Sequence, residues 1–267
     1  MREKKILSIL GDFNIFDNYF FRKTDMKLDI LAFGAHPDDV ELGCGATIAK
    51  EISKGKKVGI IDLTRGELGS RGTAETRDKE SADAAKILGV QLRTNMEFAD
   101  GFFVNDKTHQ LEIIKMIRHY QPEIVLCNAT KDRHIDHGKA SKLVSDACFL
   151  SGLVKIDTKH ENDDDNKWQQ PWRPKLVYHY MQWMDTHPDI VIDVSGFIEQ
   201  KMEAVLAYET QFYNPKIKGP KTPISSQNFT DSIIYRARDL GRLIGKDHAE
   251  GFTVERYPAA DTLFDLI

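Results

Sequence analysis

The chain has 267 residues, of which 41% are hydrophobic and 29% charged, and its formal net charge is −4 at pH 7. This length suits one large domain or two small ones, and it can bury a sizeable core without disulfide bonds or structural metals. The slight acidity argues against nucleic acid as the main partner, which needs a clustered basic face, and no apolar run has the length of a membrane span.

The first 25 residues stand apart from the rest of the chain. They begin basic, but Asp12 and Asp17 interrupt their apolar part and no small-residue cleavage site follows, so a signal peptide is not predicted. Met26 directly precedes the first clear strand. We interpret residues 1–25 as an N-terminal extension (an upstream start, an artefact or a short extra element) and residues 26–267 as a single domain.

Strands and helices alternate four times between residues 28 and 152. Short apolar runs predict strands at 28–35, 57–64, 91–99 and 123–129. Helical spacing that stops at Gly or Pro predicts helices at 45–55, 73–90, 108–122 and 138–152. This alternation indicates an α/β fold, with a Rossmann-like, mostly parallel sheet, helices on both faces and right-handed crossovers.

The pattern loosens after residue 152. The polar, acidic stretch 157–174 predicts a long exposed loop, and 213–227 predicts a second loop whose lysines could attract an anionic ligand: Lys216, Lys218 and Lys221. Further strands are predicted at 175–181, 189–196 and 248–256, with helices at 197–211 and 229–245. Cys44, Cys127 and Cys148 form no CxxC pair, which indicates reduced thiols in a cytoplasmic protein.

Two clusters of histidine and aspartate follow the first and fourth strands. His36, Asp38 and Asp39 come after the first, and the fourth leads into a segment with the second cluster: His134, Asp136 and His137. In a sheet of order 3-2-1-4, strands 1 and 4 are neighbours at the point where the order reverses, and ligands bind outside the carboxyl ends there. The two clusters should therefore meet in one crevice.

Imidazole and carboxylate together have the composition of a metal site. They suit zinc, with iron, cobalt or manganese as alternatives, and three protein ligands plus water would make the site catalytic. A spare carboxylate could take a proton from that water. A spare imidazole could stabilise an oxyanion or protonate a leaving amine.

Simpler interpretations stay open for several of these residues. His36, Asp39 and Asp136 could cap the helices that follow them, and Arg77 could be a solvated helix residue paired with a neighbouring acid. A sugar- or nucleotide-binding module without catalysis is the competing class of function. The catalytic class is favoured because Asp38 is a carboxylate beyond the three ligands, which a binding module does not need.

The two clusters resemble the LmbE/PIG-L family of zinc-dependent sugar N-deacetylases. The resemblance rests on His36-Pro37-Asp38-Asp39 with Glu41 and Gly43, on His134-Ile135-Asp136-His137, and on TRGELGSRGTAETRDKES at 64–81. It is strong from Leu28 to about Leu150. RHIDHGKAS, HAEGF and the stretch from MQWMDTHPD to AYETQF resemble the bacillithiol-biosynthesis branch, whose members remove acetate from N-acetylglucosaminyl-malate.

The resemblance implies a role for each residue. The zinc ligands would be His36, Asp39 and His137. Asp38 would be the general base, His134 the cationic partner of the tetrahedral intermediate, and Asp136 a residue that orients a histidine. Substrate contacts would come from Arg77 and His248.

The resemblance also implies an activity and partners. The expected reaction is hydrolysis of an N-acetylglucosaminide, most specifically N-acetylglucosaminyl-malate, with another small N-acetylglucosamine conjugate or a chito-oligosaccharide as alternatives. We expect Zn²⁺, with Fe²⁺, Co²⁺ or Mn²⁺ as substitutes, and a small anionic sugar conjugate as the ligand. Neither a nucleic acid nor a membrane partner is expected, and the family resemblance suggests a homo-oligomer, a hexamer being one candidate.

Overall fold

The computed structural model describes residues 26–159 and 168–266. Within these ranges the strands β1–β7 are Ile30–Gly34, Val58–Asp62, Leu92–Asn95, Ile124–Cys127, Leu176–Tyr180, Ile190–Asp193 and Ala249–Val254. The helices α1–α6 are Asp39–Ser53, Ala74–Leu88, Lys107–Tyr120, Ile135–Leu150, Ile198–Leu206 and Gln227–Leu243.

The strands form one sheet in the order β3-β2-β1-β4-β5-β7-β6. β1 pairs in parallel with β2 and β4, and β5 pairs in parallel with β4. β7 runs antiparallel to both β5 and β6. The predicted α/β class, the mostly parallel sheet and the order of its first four strands are confirmed. The loops after β1 and β4 consequently leave the same edge of the sheet at its switch point.

Helices cover both faces of this sheet. Ile30 and Ala32 pack into one buried cluster with side chains from α1, α2, α5 and α6. Leu31 and Phe33 point to the other face and pack with side chains from α3 and α4. This division follows from the period of two along a strand, and the full burial of both faces explains why β1 is apolar throughout.

Helix α1 is broken at Cys44, whose φ of −147° and ψ of 22° are not helical. A buried ion pair from distant elements serves the backbone on both sides of the break. Lys201 Nζ donates to the carbonyl of Leu42 at 2.8 Å and lies 2.6 Å from Glu250 Oε1. The Glu250 carboxylate accepts from the N–H groups of Ala46 (3.2 Å) and Thr47 (2.7 Å). The pair thus satisfies backbone groups that the break leaves without helical partners.

The predicted start of α1 is wrong, because the helix begins at Asp39 and not at Gly45. The structure also explains Gly43: a Cβ there would lie 2.1 Å from the Tyr180 ring, so only glycine lets this ring approach the helix. The Tyr180 hydroxyl in turn donates to the carbonyl of Phe33 in β1, at 2.8 Å.

The predicted end of α5 is also too late, since the helix ends at Leu206. Tyr208 and Phe212 continue the apolar spacing and are buried, but they lie in the irregular segment that follows the helix. The expectation for residues 1–25 lies outside the described residues, as does the middle of the 157–174 loop. In the described ranges, no helix combines the length and apolar character needed to cross a membrane.

Candidate active site

The first cluster occupies the tight connection between β1 and α1. Asp38 is the N-cap residue of α1, with a φ of 109°, and its side chain makes no capping hydrogen bond. A left-handed backbone at a residue with a Cβ costs about 1–3 kcal/mol and must be held by its surroundings. Helix capping therefore does not account for Asp38, whose carboxylate is left for other contacts.

The second cluster begins α4. His134 is the N-cap, and its Nδ1 accepts the N–H of Asp136 at 3.3 Å. Asp136 is thus not the cap. The imidazole rings of the two clusters meet: His36 and His134 have centroids 4.6 Å apart, and His134 and His137 have centroids 5.2 Å apart. The structure brings together the two clusters that the strand order predicted to converge.

Asp39 contacts both of the other predicted metal ligands. Asp39 Oδ1 lies 3.1 Å from His137 Nε2, and Asp39 Oδ2 lies 3.5 Å from His36 Nδ1. Ring nitrogens of His36, His134 and His137 also lie within 4.8 Å of one another. Two imidazoles and a carboxylate at one point form a donor set that suits zinc and similar divalent ions.

Further carboxylates hold the outer nitrogens of the two histidines. His36 Nε2 lies 3.0 Å from Asp100 Oδ1 and 3.5 Å from Asp136 Oδ2. His137 Nδ1 lies 2.6 Å from Asp132 Oδ2. In metal sites such carboxylates fix the tautomer and direct the opposite nitrogen at the ion. The residues present therefore fit a metal bound through His36 Nδ1, Asp39 and His137 Nε2.

Two amide side chains fix the Asp39 carboxylate. Asn128 Nδ2 donates to Asp39 Oδ2 at 3.0 Å, and Gln182 Nε2 donates to Asp39 Oδ1 at 2.9 Å. Asn128 also accepts the N–H of Ala35 at 2.9 Å, so it joins β4 to the loop after β1. These bonds hold a fully buried carboxylate in one orientation.

Sequence reasoning missed four of these supporting residues: Asp100, Asp132, Asn128 and Gln182. A signal existed for three of them, since Asn128 and Asp132 follow β4 and Asp100 follows β3 at the same edge of the sheet. The switch-point rule that found the histidines applies to these positions as well. Gln182 follows β5, which the sequence did not place beside β4.

Arg77 is buried and reaches the first cluster from α2. Its Nη2 donates to Asp38 Oδ2 at 3.0 Å and also to the carbonyl of Pro37. The interpretation of Arg77 as a solvated helix residue is wrong, because the guanidinium is enclosed by the loop it holds. In this structure its contacts orient Asp38.

The charges in the cluster shift its proton affinities. Burial raises the pKa of Asp38 to about 7; the Arg77 guanidinium opposes this rise, and the Asp39 carboxylate adds to it. Burial acts to lower the pKa of His137, but Asp39 and Asp132 outweigh it and raise that pKa to about 9. Burial and the neighbouring His36 lower the pKa of His134. Asp38 can therefore exchange a proton near neutral pH.

A cavity of about 750 Å³ opens over this cluster. Its lining includes the first cluster, His134 and His137 of the second cluster, and Arg77; Asp136 is not part of it. Arg133 and Trp183 lie at the mouth, with the guanidinium 4.8 Å from the ring centre. His248 is not among the lining residues, and Ser195 Oγ accepts its backbone N–H at 3.3 Å. Lys216, Lys218 and Lys221 are exposed outside the lining, although Thr222, Pro223 and Ile224 of the same loop belong to it.

Comparisons with known proteins agree with the position of this site. The model of the family described as PIG-L, GlcNAc-PI de-N-acetylase, matches residues 31–148. This stretch runs from β1 to α4 and contains both clusters.

Individual proteins extend the similarity beyond that stretch. The chain is 38% identical over 129 residues to the uncharacterized deacetylase YaiS of Escherichia coli (strain K12), covering 46% of this chain and 69% of YaiS. It is 29% identical over 226 residues to diacetylchitobiose deacetylase of Thermococcus kodakarensis, covering 76% of this chain and 82% of that protein. The crystal structure of the conserved protein TT1542 from Thermus thermophilus matches with a TM-score of 0.77 and 34% identity, covering 89% of this chain and 98% of that protein.

Proposed function

Since the chain belongs to the PIG-L family of de-N-acetylases, we propose that it is a metal-dependent hydrolase of N-acetylglucosaminides and that its substrate is N-acetylglucosaminyl-malate. One observation carries the catalytic part of the proposal. The buried Asp38 carboxylate lies beside the three-donor set, is oriented by Arg77, and has a pKa of about 7. A site that only bound a sugar would not need this group.

His36, Asp39 and His137 would hold the metal, which we propose is Zn²⁺. When bound, such an ion supplies Lewis acidity toward the amide carbonyl and lowers the pKa of water. Iron, cobalt and manganese suit the same nitrogen and oxygen donors.

Asp38 would act as the general base. It takes a proton from the attacking water and returns it to the departing amine, since its carboxylate lines the cavity beside the metal donors. Water oxygen becomes bonded to the acetyl carbon, the C–N bond breaks, and the products are acetate and the glucosamine ammonium.

His134 would stabilise the negative charge that develops on the acetyl oxygen. Its Nδ1 accepts the Asp136 N–H, so the neutral ring carries its hydrogen on Nε2. Since the pKa of His134 is lowered, the resting ring is neutral and acts as a hydrogen-bond donor. This differs from the cationic role that the family resemblance implied.

Arg133 supports an anionic aglycone. Its exposed guanidinium lies on the Trp183 ring at the cavity mouth, and none of the described carboxylates pairs with it. Arg77, by contrast, is engaged with Asp38 and Pro37. We therefore place substrate recognition at Arg133 in preference to Arg77 or His248. The proposal also includes a cytoplasmic homo-oligomer, whose size light scattering would measure.

The test uses the zinc-loaded full chain and its Asp38→Asn variant. Asp146→Asn is the matched control, since this carboxylate pairs with Lys142 on α4 and does not line the cavity. We expect amine release from N-acetylglucosaminyl-malate, an unchanged metal content in Asp38→Asn and a turnover at least about 100-fold lower. Asp146→Asn should match the unmodified chain. Full turnover by a metal-loaded Asp38→Asn variant would remove the proposed base.

Free N-acetylglucosamine tests the substrate part separately. Equal kcat/KM values for it and for N-acetylglucosaminyl-malate would remove the case for an anionic aglycone. If the chain binds sugar but neither retains metal nor releases amine with any metal added, the non-catalytic binding module becomes the better account.

A further inference from the structure

Three aromatic rings form a stack at the mouth of the cavity, which we call the ring stack. The rings of Phe212 and Phe229 have centres 6.1 Å apart and planes inclined by 4°. The rings of Phe229 and Trp183 have centres 5.4 Å apart and planes inclined by 14°. Phe212 is 1% exposed and Trp183 is 40% exposed, so the stack runs from the core to the surface. Trp183 is therefore an exposed ring with a buried support.

The backbone that carries Trp183 is tied to the proposed metal site. Gln182, the residue before it, donates from Nε2 to Asp39 Oδ1 at 2.9 Å. Met184, the residue after it, donates its N–H to Asp132 Oδ1 at 2.7 Å. These bonds hold the segment on both sides of Trp183. The ring thus has a fixed position relative to the metal donors, although it is exposed.

Among the described residues, four arginine and lysine side chains line the cavity: Arg77, Arg133, Lys201 and Arg236. Three of them are engaged with protein groups. Arg77 pairs with Asp38, and Lys201 pairs with Glu250. Arg236 donates to two backbone carbonyls, those of residues 182 and 183. Arg133 is the cation of this group that is left for a ligand, because none of the described carboxylates pairs with it.

Arg133 contacts the outer ring of the stack. Its guanidinium carbon lies 4.8 Å from the centre of the Trp183 ring. The loop that carries Arg133 also carries His134, the N-cap of α4. A cation–π contact does not consume the N–H donors of a guanidinium, and these donors match a carboxylate in a bidentate arrangement. The contact therefore holds Arg133 without satisfying it.

We propose that Trp183 is a positioning residue for anionic aglycones: supported by Phe229, it holds the Arg133 guanidinium where a carboxylate of the aglycone binds. The inference rests on the proposed function and deepens it, because it names the residue on which recognition by Arg133 depends. An arginine side chain has many rotamers, and fixing one of them before the substrate arrives reduces the entropy lost on binding. Without the ring, the charge remains but its position does not.

The experiment compares an anionic with a neutral substrate on the zinc-loaded full chain, N-acetylglucosaminyl-malate with the methyl glycoside of N-acetylglucosamine. The selectivity is the ratio of their kcat/KM values. Trp183→Leu should lower it by about two- to fivefold, the range of an exposed cation–π contact, through a higher KM for the malate conjugate at an unchanged kcat. An unchanged selectivity overturns the inference. An equal loss for both substrates does so too, because the ring would then bind the sugar.

A double variant separates positioning from direct contact. Arg133→Met should lower the selectivity by at least about tenfold, because it removes a charged hydrogen-bond donor. Adding Trp183→Leu to Arg133→Met should cause no further loss, since Trp183 acts through Arg133. A further loss would mean that Trp183 contacts the aglycone itself, which overturns the inference.

Trp168 provides a matched control. Its ring is 56% exposed and also bears a cation, with Lys159 Nζ 4.7 Å from the ring centre, but it does not line the cavity. Trp168→Leu should leave the selectivity unchanged. If Trp183→Leu does not fold, Arg133→Lys takes its place, since it keeps the charge and removes the planar guanidinium. A lower selectivity in Arg133→Lys supports the inference, and an unchanged one overturns it.

Failure of the proposed function gives a different result. In that case no amine is released from either substrate. Calorimetric titration with N-acetylglucosaminyl-malate then tests the inference separately. Binding that is weakened by Trp183→Leu, and weakened no further when Trp183→Leu is added to Arg133→Met, supports it. Equal binding by the unmodified chain and Trp183→Leu overturns it, as does the absence of binding.

Discussion

The two ends of the cavity use buried charge in opposite ways. At the end formed by the loops after β1 and β4, Asp38, His36 and His137 face the cavity; burial raises the pKa of Asp38, and neighbouring carboxylates raise the pKa values of the two histidines against the effect of burial. At the other end, beside the break in α1, Lys201 and Glu250 are as deeply buried, but they pair with each other and bond the backbone of α1.

The difference lies in what satisfies each charge. A buried charge costs stability unless it is paired and hydrogen-bonded, and Lys201 and Glu250 obtain those partners from the α1 backbone. Of the proposed metal donors, His36 and His137 are paired with carboxylates, which are themselves titratable, so these groups can exchange protons or bind an ion. Burial alone therefore does not identify the reactive residues.

The largest expected effect is a loss of folding stability when the Lys201–Glu250 pair is broken. Lys201→Met leaves Glu250 buried without its cation and should lower the free energy of unfolding by about 3–5 kcal/mol, measured by urea titration. The double variant Lys201→Met with Glu250→Gln should recover part of this loss, because no unpaired charge remains. If the single variant is as stable as the unmodified chain, the ion pair does not support the break in α1.

A smaller effect is expected at the proposed metal site, and it concerns metal affinity. In Asp132→Asn, the amide would present an N–H to His137 Nδ1. The ring hydrogen would then favour Nε2, and a protonated Nε2 cannot ligate the metal. Asp132→Asn should lower metal affinity by about 10–100-fold, measured by competition with a chelator. Asp146→Asn is the control. Unchanged affinity in Asp132→Asn would mean that Asp132 does not orient His137.

The smallest effect is expected for the pair of His179 and Glu255, which lies outside the cavity. His179 Nε2 lies 3.0 Å from Glu255 Oε1, and although burial acts to raise the Glu255 pKa, the bond to His179 holds it below its ordinary 4.5. The stabilisation is present above pH 4.5 and is lost as the pH falls through the folded-state pKa. Since the Glu255 side chain is 40% exposed and solvent screens the pair, Glu255→Gln should cost at most about 1 kcal/mol at pH 7 and less at pH 4. A cost that is the same at both pH values would contradict this pairing.

The sequence predicted those elements whose position follows from local patterns of residues. Apolar runs and Gly or Pro stops located β1 to β4, and the switch-point rule then brought His36 and His137 together. It could not show that Arg77 is buried, because the contact with Asp38 joins residues 39 positions apart through folding of the whole domain.

Other features depended on partners that no local pattern reveals. Gly43 lies within α1 because of a ring from β5, and the break at Cys44 depends on Lys201 and Glu250. These contacts join elements that are far apart in the sequence, so they could be located only once the chain was folded.

The left-handed backbone of Asp38 has a consequence for how this chain can evolve. At a φ of 109° glycine would relieve the strain, so selection for stability alone would favour its appearance at this position. The carboxylate persists there at the expense of about 1–3 kcal/mol of folding free energy. Descendants that lose the activity while keeping the fold should diverge first at residue 38.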